Sequence, residues 1–251
     1  MTENWKSYFC NVNDVLASIA LNLGLSEDAP MSGKPWLLWV WVYFRSPRPD
    51  GLSSKEEFPT LSAIEDELTK QLGNACSAIQ AGRITTDGRR EFYFYGATEK
   101  GFKAAVQAAL SRFPGYKYDC DTKHEPDWNQ YRNVLFPSDE NMETIKNSDV
   151  LEVLEKHGDT LEAVRDVHHW IYFTRREDRD WYAAEVRNLG YTIEHQSERP
   201  KNPRPYCLTI TRDQSVTYKK INDAVIELFR LAQQVDAEYD GWETQVIVVK
   251  N

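Results

Sequence analysis

Cysteine is scarce: Cys10, Cys76, Cys120 and Cys207 are far apart in a chain of 251 residues and form no CxxC pair. That spacing argues against both a disulfide framework and a zinc knuckle, and it fits a reducing compartment. Long apolar runs are also missing. The longest, "WLLWVWVYF", is far too short to cross a bilayer, and "MTENWKSYFC" is not a charged-then-apolar leader, so a cytoplasmic protein with no membrane contact is expected. Basic excess is lacking too: 30 Lys and Arg face 39 Asp and Glu, for a net charge of -9. Such a chain repels phosphate backbones, which excludes DNA as a partner and favours a basic protein surface. The deficit is uneven. Residues 1–138 carry 15 basic and 17 acidic side chains and residues 139–251 carry 15 and 22, so the halves stand at -2 and -7. The second half is the better dock for a cationic surface. There is no GxSxG, no HExxH and no phosphate loop, since Gly33-Lys34 lacks the glycine run that such a loop requires. No enzyme chemistry, metal or cofactor is expected.

Aromatics, by contrast, are abundant: eight Trp and thirteen Tyr supply more amphipathic ring surface than a core alone needs. Two aromatic runs nearly repeat, "WVYF" at 41–44 and "WIYF" at 170–173. After the first, "RSPRPDG" ends a strand, and Leu61, Ile64, Leu68 and Leu72 recur at helical spacing, with Pro59 at the start and Gly73 in the place of a C-cap. "SAIQAGRIT" and "REFYFYG" flank Asp87-Gly88, a two-residue hairpin signal. Phe102, Ala105, Val106, Ala109 and Leu110 form a second stripe after Thr98, and "YKYDC" closes the set as a strand. The order is βαββαβ. After the second aromatic run, "VHHWIYF", the same order returns. A helix from Asp178 to Leu189 ends at Gly190, and "YTIEH" and "YCLTIT" are strands. A helix from near Ser215 carries Ile221, Ala224, Val225, Leu228, Ala232 and Val235, and "AEYDGWETQVIV" is the last strand.

The expectation is an α+β chain of two tandem ferredoxin-like sandwiches with antiparallel sheets, a first domain over 1–138 and a second over 139–251. Residues 1–34 read as an added hairpin around Asn13-Asp14 or as a short helix, and "DVLEVLEKHGD" as a short helix feeding the second domain. The first sheet carries apolar residues on both faces, Trp39 and Trp41 alternating with Val40 and Val42. A bare sheet face is therefore not expected. The units pack sheet against sheet, or each sheet is covered by added segments or a second chain, which leaves homo-oligomers open.

Each chemical candidate has a plain structural alternative. His168 and His169 are neighbours on a strand and point to opposite faces, so they do not share an ion. Asp119, Cys120, Asp121, His124 and Glu125 are dense enough to suggest a metal-dependent hydrolase, but no pair has a recognised ligand spacing. Glu65, Asp66 and Glu67 fan around a helix, and Asp66 with Lys70 is a surface pair. Trp41, Tyr43, Phe92 and Phe94, or Trp170, Tyr172 and Tyr206, could form a base-stacking platform, making single-stranded RNA binding the alternative function. The negative charge opposes it. In "AEYDGWET", Asp240-Gly241 signals a turn or bulge inside the last strand. Tyr239, Asp240, Gly241 and Trp242 are either a packed bulge or an aromatic and acidic patch that anchors a protein partner.

"VHHWIYF", "RNLGYTIEH", "LAQQVDAEYDGWET" and "KHGD" together resemble the RraB family, regulators of ribonuclease E activity, over roughly residues 148 to 251. The resemblance implies a single ferredoxin-like domain without catalytic residues that acts by binding ribonuclease E. The acidic C-terminal tail seen in that family is missing from this sequence, which stops at Lys250-Asn251. "DGLSSKEEFPTLSAIEDEL", "GRITTDGRREFYFYG" and "DWNQYRNVLFP" resemble the bacterial family called domain of unknown function 695, a label that implies no activity. The pairing implies a bacterial regulator of an RNA-processing enzyme.

Overall fold

The computed structural model describes residues 2–12 and 14–248, so Asn13 of the expected turn and the Lys250-Asn251 end lie outside the described residues. The chain folds as two compact units, Met1–Asn141 and Met142–Asn251. In the first, β1 (Trp5–Val12) and β2 (Val15–Asn22) form the added hairpin rather than a helix. Then follow β3 (Trp36–Tyr43), α1 (Phe58–Cys76), β4 (Ile79–Thr86), β5 (Arg89–Gly96), α2 (Phe102–Leu110) and β6 (Tyr118–His124). The sheet order is β1-β2-β4-β5-β3-β6, antiparallel throughout. Without the hairpin this is the strand order of a split βαβ sandwich. Asp87 (φ 46°) and Gly88 (φ 73°) make the tight turn between β4 and β5.

Leu61, Ile64, Leu68 and Leu72 of α1 are fully buried against Val40, Phe92 and Phe94. Gly73, however, does not stop the helix. The apolar stripe continues from Leu72 to Cys76, also fully buried, and this gain outweighs the cost of about 1 kcal/mol for one helical glycine. Ser77 takes the left-handed position (φ 48°), and its N–H donates to the Leu72 carbonyl.

The register corrects the aromatic grouping: Trp41 lies opposite Glu91 and Tyr43 opposite Arg89, while Phe92 pairs with Val40. Phe92 and Phe94 thus belong to the core beneath the helices, and Trp41 and Tyr43 to the other face. The chain's own continuation covers part of that other face. After β6, Trp128 stacks on Tyr95 with centroids 4.0 Å apart, and a π-helical turn spans Gln130–Leu135. The Tyr131 hydroxyl donates to the Asn22 carbonyl at 2.9 Å, and the Tyr8 hydroxyl donates to the Leu135 carbonyl at 3.0 Å. Gly82 makes room for this cover, because a Cβ there would lie 2.7 Å from the Ala20 carbonyl oxygen and 3.0 Å from Leu135 Cδ1.

The second unit is entered through α3 (Asp139–Lys156), whose start is capped by Ser138 Oγ accepting from the Asn141 N–H. The helix is longer than the short one expected. β7 (Arg165–Phe173), α4 (Arg176–Asn188), β8 (Thr192–Glu198), β9 (Tyr206–Gln214), α5 (Tyr218–Gln233) and β10 (Glu238–Thr244) follow. Their antiparallel order β10-β7-β9-β8 repeats the split βαβ arrangement. α5 starts after Thr217, and Ser215 is buried ahead of it rather than capping it. All three helices pack on one face of the sheet, around Ile171, Leu208, Ile210, Val225 and Leu228. Tyr206, opposite Phe173, packs against this core, so it does not share a face with Trp170 and Tyr172.

Candidate interaction site

"YDGW" forms a β-bulge in β10. The register slips between Tyr239, opposite Ile171, and Gly241, opposite Trp170, so Asp240 has no partner on β7. Gly241 has φ 117°, a conformation that side chains resist, and it is half-buried while Asp240 is exposed. The extra residue lets both flanking rings turn inward. Tyr239 and Trp242 are 5% and 9% exposed and belong to the core, as the packed-bulge reading has it, and Asp240 and Gly241 are what the motif presents to solvent.

The polar atoms of both inward rings are tied. Trp242 Nε1 donates to Asn147 Oδ1 at 2.7 Å, and Asn147 Nδ2 donates to Asn222 Oδ1 at 2.8 Å, linking β10, α3 and α5. The Tyr239 hydroxyl is 2.8 Å from Nδ1 of His169, which is itself fully buried. Burial pushes the Tyr239 phenol well above its ordinary value. Burial also pushes His169 down to about 3, with the Arg212 and His168 charges acting in the same direction. His169 is therefore a neutral core histidine. His168 points the other way, its Nδ1 2.8 Å from Glu194 Oε2, as strand alternation requires.

A second anchor sits where "KHGD" meets β7. Asp159 and Arg165 form an ion pair with both side chains fully buried, Arg165 Nη2 donating to Asp159 Oδ1 at 2.9 Å. The Leu161 and Ile247 N–H groups donate to the same carboxylate at 2.7 and 2.8 Å, and Arg165 donates to the Gln245 carbonyl. The clasp thus holds the segment after β10 down. Arg165 and these N–H donors, working against burial, bring the Asp159 carboxyl down to about 2.

The proposed metal cluster is dispersed. On β6, Asp119 and Asp121 lie opposite Trp41 and Trp39, whereas Cys120, opposite Val40, turns toward the core under the helices. Glu125 accepts hydrogen bonds from the Tyr95 hydroxyl and the Gln130 N–H, and it pairs with Lys123. No group of three or more His, Cys, Asp or Glu side chains that could hold a metal occurs among the described residues. In the first helix, Glu65 turns inward to Arg83 and Gln80, while Glu67 pairs with Arg112. No helix among the described residues is long and apolar enough to cross a membrane.

Sequence reasoning singled out the bulge but missed what holds it, since nothing in the sequence joins Asn147 or Asn222 to Trp242. Asp159 did carry a signal, as the last residue of "KHGD".

Two family models match this chain: "Family of unknown function (DUF695)" over residues 3–136 and "Regulator of ribonuclease activity B" over residues 144–244. A protein from Salmonella typhi with the latter name is 27% identical over 97 residues, which are 38% of this chain and 70% of that protein. Among solved structures, an unknown protein from Galdieria sulphuraria aligns over 85% of this chain and 99% of its own, at 11% identity and a TM-score of 0.23. A putative glycine cleavage system transcriptional repressor aligns over 84% and 98%, at 10% identity and the same TM-score of 0.23. Likenesses that remote carry no argument. By the match over residues 3–136, more than half its length, the chain belongs to the family of unknown function DUF695, and its residues 144–244 are similar to the regulators of ribonuclease activity B.

Proposed function

We propose that the protein is a non-catalytic cytoplasmic regulator that binds another protein, and that its target is ribonuclease E or a related RNA-processing enzyme. The match of residues 144–244 to the regulators of ribonuclease activity carries this reading. The bulge supports it: Tyr239 and Trp242 fix the strand from beneath, and Asp240 and Gly241 are held at the surface by a backbone angle that only glycine adopts with ease. Ribonuclease E from the same organism should be retained on the immobilised protein. Asp240→Lys should retain several-fold less without a change in melting temperature, and Trp242→Ala should lower both. No retention by the unaltered chain would remove ribonuclease E as the target.

A further inference from the structure

The face of the second sheet turned away from α3, α4 and α5 has a consistent character. On β7, Asp166, His168, Trp170 and Tyr172 alternate with fully buried residues, and Asp166 stands directly opposite Asp213 of β9. Glu243 of β10 lies opposite His168, and Glu194 of β8 reaches the same histidine from the other side. None of the residues facing this way on the four strands is Lys or Arg. Trp170 and Tyr172 are only half-buried, while Asp166, Asp213, Glu194 and Glu243 are exposed.

We propose that this face docks an extended basic segment of the partner protein, its guanidinium or ammonium groups resting on Trp170, next to the Arg199 that already covers Tyr172, and pairing with Asp166, Asp213 and Glu243. This deepens the binding reading above and rests on it for the existence of a protein partner. Three observations choose the occupant. The chain already lays a cation here, since the Arg199 guanidinium sits 5.7 Å from the Tyr172 ring centroid. Asp166 and Asp213 are like charges in a directly opposed pair, and the Asp166 carboxylate raises the Asp213 carboxyl, so a neighbouring cation relieves both. Alternate residues on a strand are roughly 7 Å apart, so an extended peptide with a cation at every second position matches the ladder from Asp166 to Tyr172. A phosphate backbone meets the wrong sign of charge. A second copy docked through this face would set carboxylates against carboxylates, since a two-fold contact pairs the patch with itself.

The test titrates the full chain into two dye-labelled decapeptides, one alternating Arg with Ser and one alternating Glu with Ser, and reads anisotropy at low and physiological salt. The Arg peptide should bind, more tightly at low salt, and the Glu peptide should not. The double variant Asp166→Asn, Asp213→Asn and the single variant Trp170→Ala should each bind about tenfold more weakly. Asp223→Asn, on α5, should bind as the unaltered chain does. Failure of the Arg peptide to bind, or equal binding by the double variant, overturns the proposal. So does a dimer in sedimentation that the double variant abolishes. The ribonuclease capture experiment separates the two readings. Loss of the nuclease as partner with peptide binding intact removes the target and keeps the face, while equal nuclease capture by unaltered and double-variant protein removes the face and keeps the target.

Discussion

Trp41 and Tyr43 in the first unit and Trp170 and Tyr172 in the second occupy matching places on the opening strand of the same βαββαβ order, each facing away from the helices. Their surroundings differ. In the first unit the Arg89 guanidinium lies 4.8 Å from the Trp41 ring and pairs with Asp87 and Glu91, and the Tyr43 hydroxyl donates to Asp119 at 2.6 Å. Trp128 and the turn after it cover the neighbouring strands. In the second unit the matching face keeps its carboxylates without a basic residue on its strands. Topology decides which side chains share a face; the segments added around it decide whether the face is still free to bind.

Removing the cover should break this contrast with the largest effect. Trp128 is fully buried, stacks on Tyr95 and donates through Nε1 to the Lys34 carbonyl at 2.9 Å. Trp128→Ala should cost the first unit about 3–5 kcal/mol and increase the binding of a hydrophobic dye. Two-transition calorimetry should show the second unit's melting unchanged. If the first transition stayed in place, the turn would be an ornament and not a cover.

Acid should separate the units next. His169 is held at about 3 against an ordinary 6.5, so below pH 6.5 the unfolded chain takes a proton that the folded chain refuses. Stability is therefore complete above pH 6.5 and falls as pH drops, by up to roughly 1.4 kcal/mol per pH unit, until about pH 3. Asp159 acts lower down: its contribution is intact above its ordinary value of 3.8 and is lost as pH falls through about 2. In the first unit, burial raises Glu125, but its hydrogen bonds to Gln130, Tyr95 and Lys123 win and bring it below its ordinary value of 4.5, so its loss starts only there. Between pH 6.5 and 4.5 the second unit should soften first, and His169→Gln should flatten its slope. Parallel loss in both units would show that His169 does not govern the difference.

Much of this was legible in advance because strands and helices impose short periods: both βαββαβ orders, the Asp87-Gly88 turn and the opposite aims of His168 and His169 follow from local spacing. The phase of β5 relative to β3 does not. A shift of one residue moves every side chain across the sheet, so Phe92 and Phe94 could be grouped with Trp41 only until the pairing was known. The cover over the first sheet was hidden for a related reason, as "DWNQYRNVLFP" reads as a domain's end until Tyr131 and Leu135 are seen to meet Asn22 and Tyr8. At the candidate site the bulge was readable from Asp240-Gly241. Its inward rings were not, because the same two aromatics suit a core and a contact equally well.

The smallest expected effect comes from two glycines that serve opposite needs. Gly82 needs space: its φ lies outside the left-handed region, but an added methyl would meet the Ala20 carbonyl oxygen and Leu135, so Gly82→Ala should destabilise the first unit by about 1–3 kcal/mol. Gly241 needs an angle instead. Nothing lies within 4 Å of where its Cβ would be, and φ is 117°, so the cost of Gly241→Ala is backbone strain alone, about 1–2 kcal/mol in the second unit. Because that strain is relieved if the bulge slides by one residue, the alanine variant should also disturb Asp240 and turn Tyr239 or Trp242 out of its place. Tryptophan emission should then shift to the red while the helical signal holds. A variant as stable as the unaltered chain, with unshifted emission, would mean that glycine is not what holds this bulge, and Asp240 would lose its claim to a fixed position.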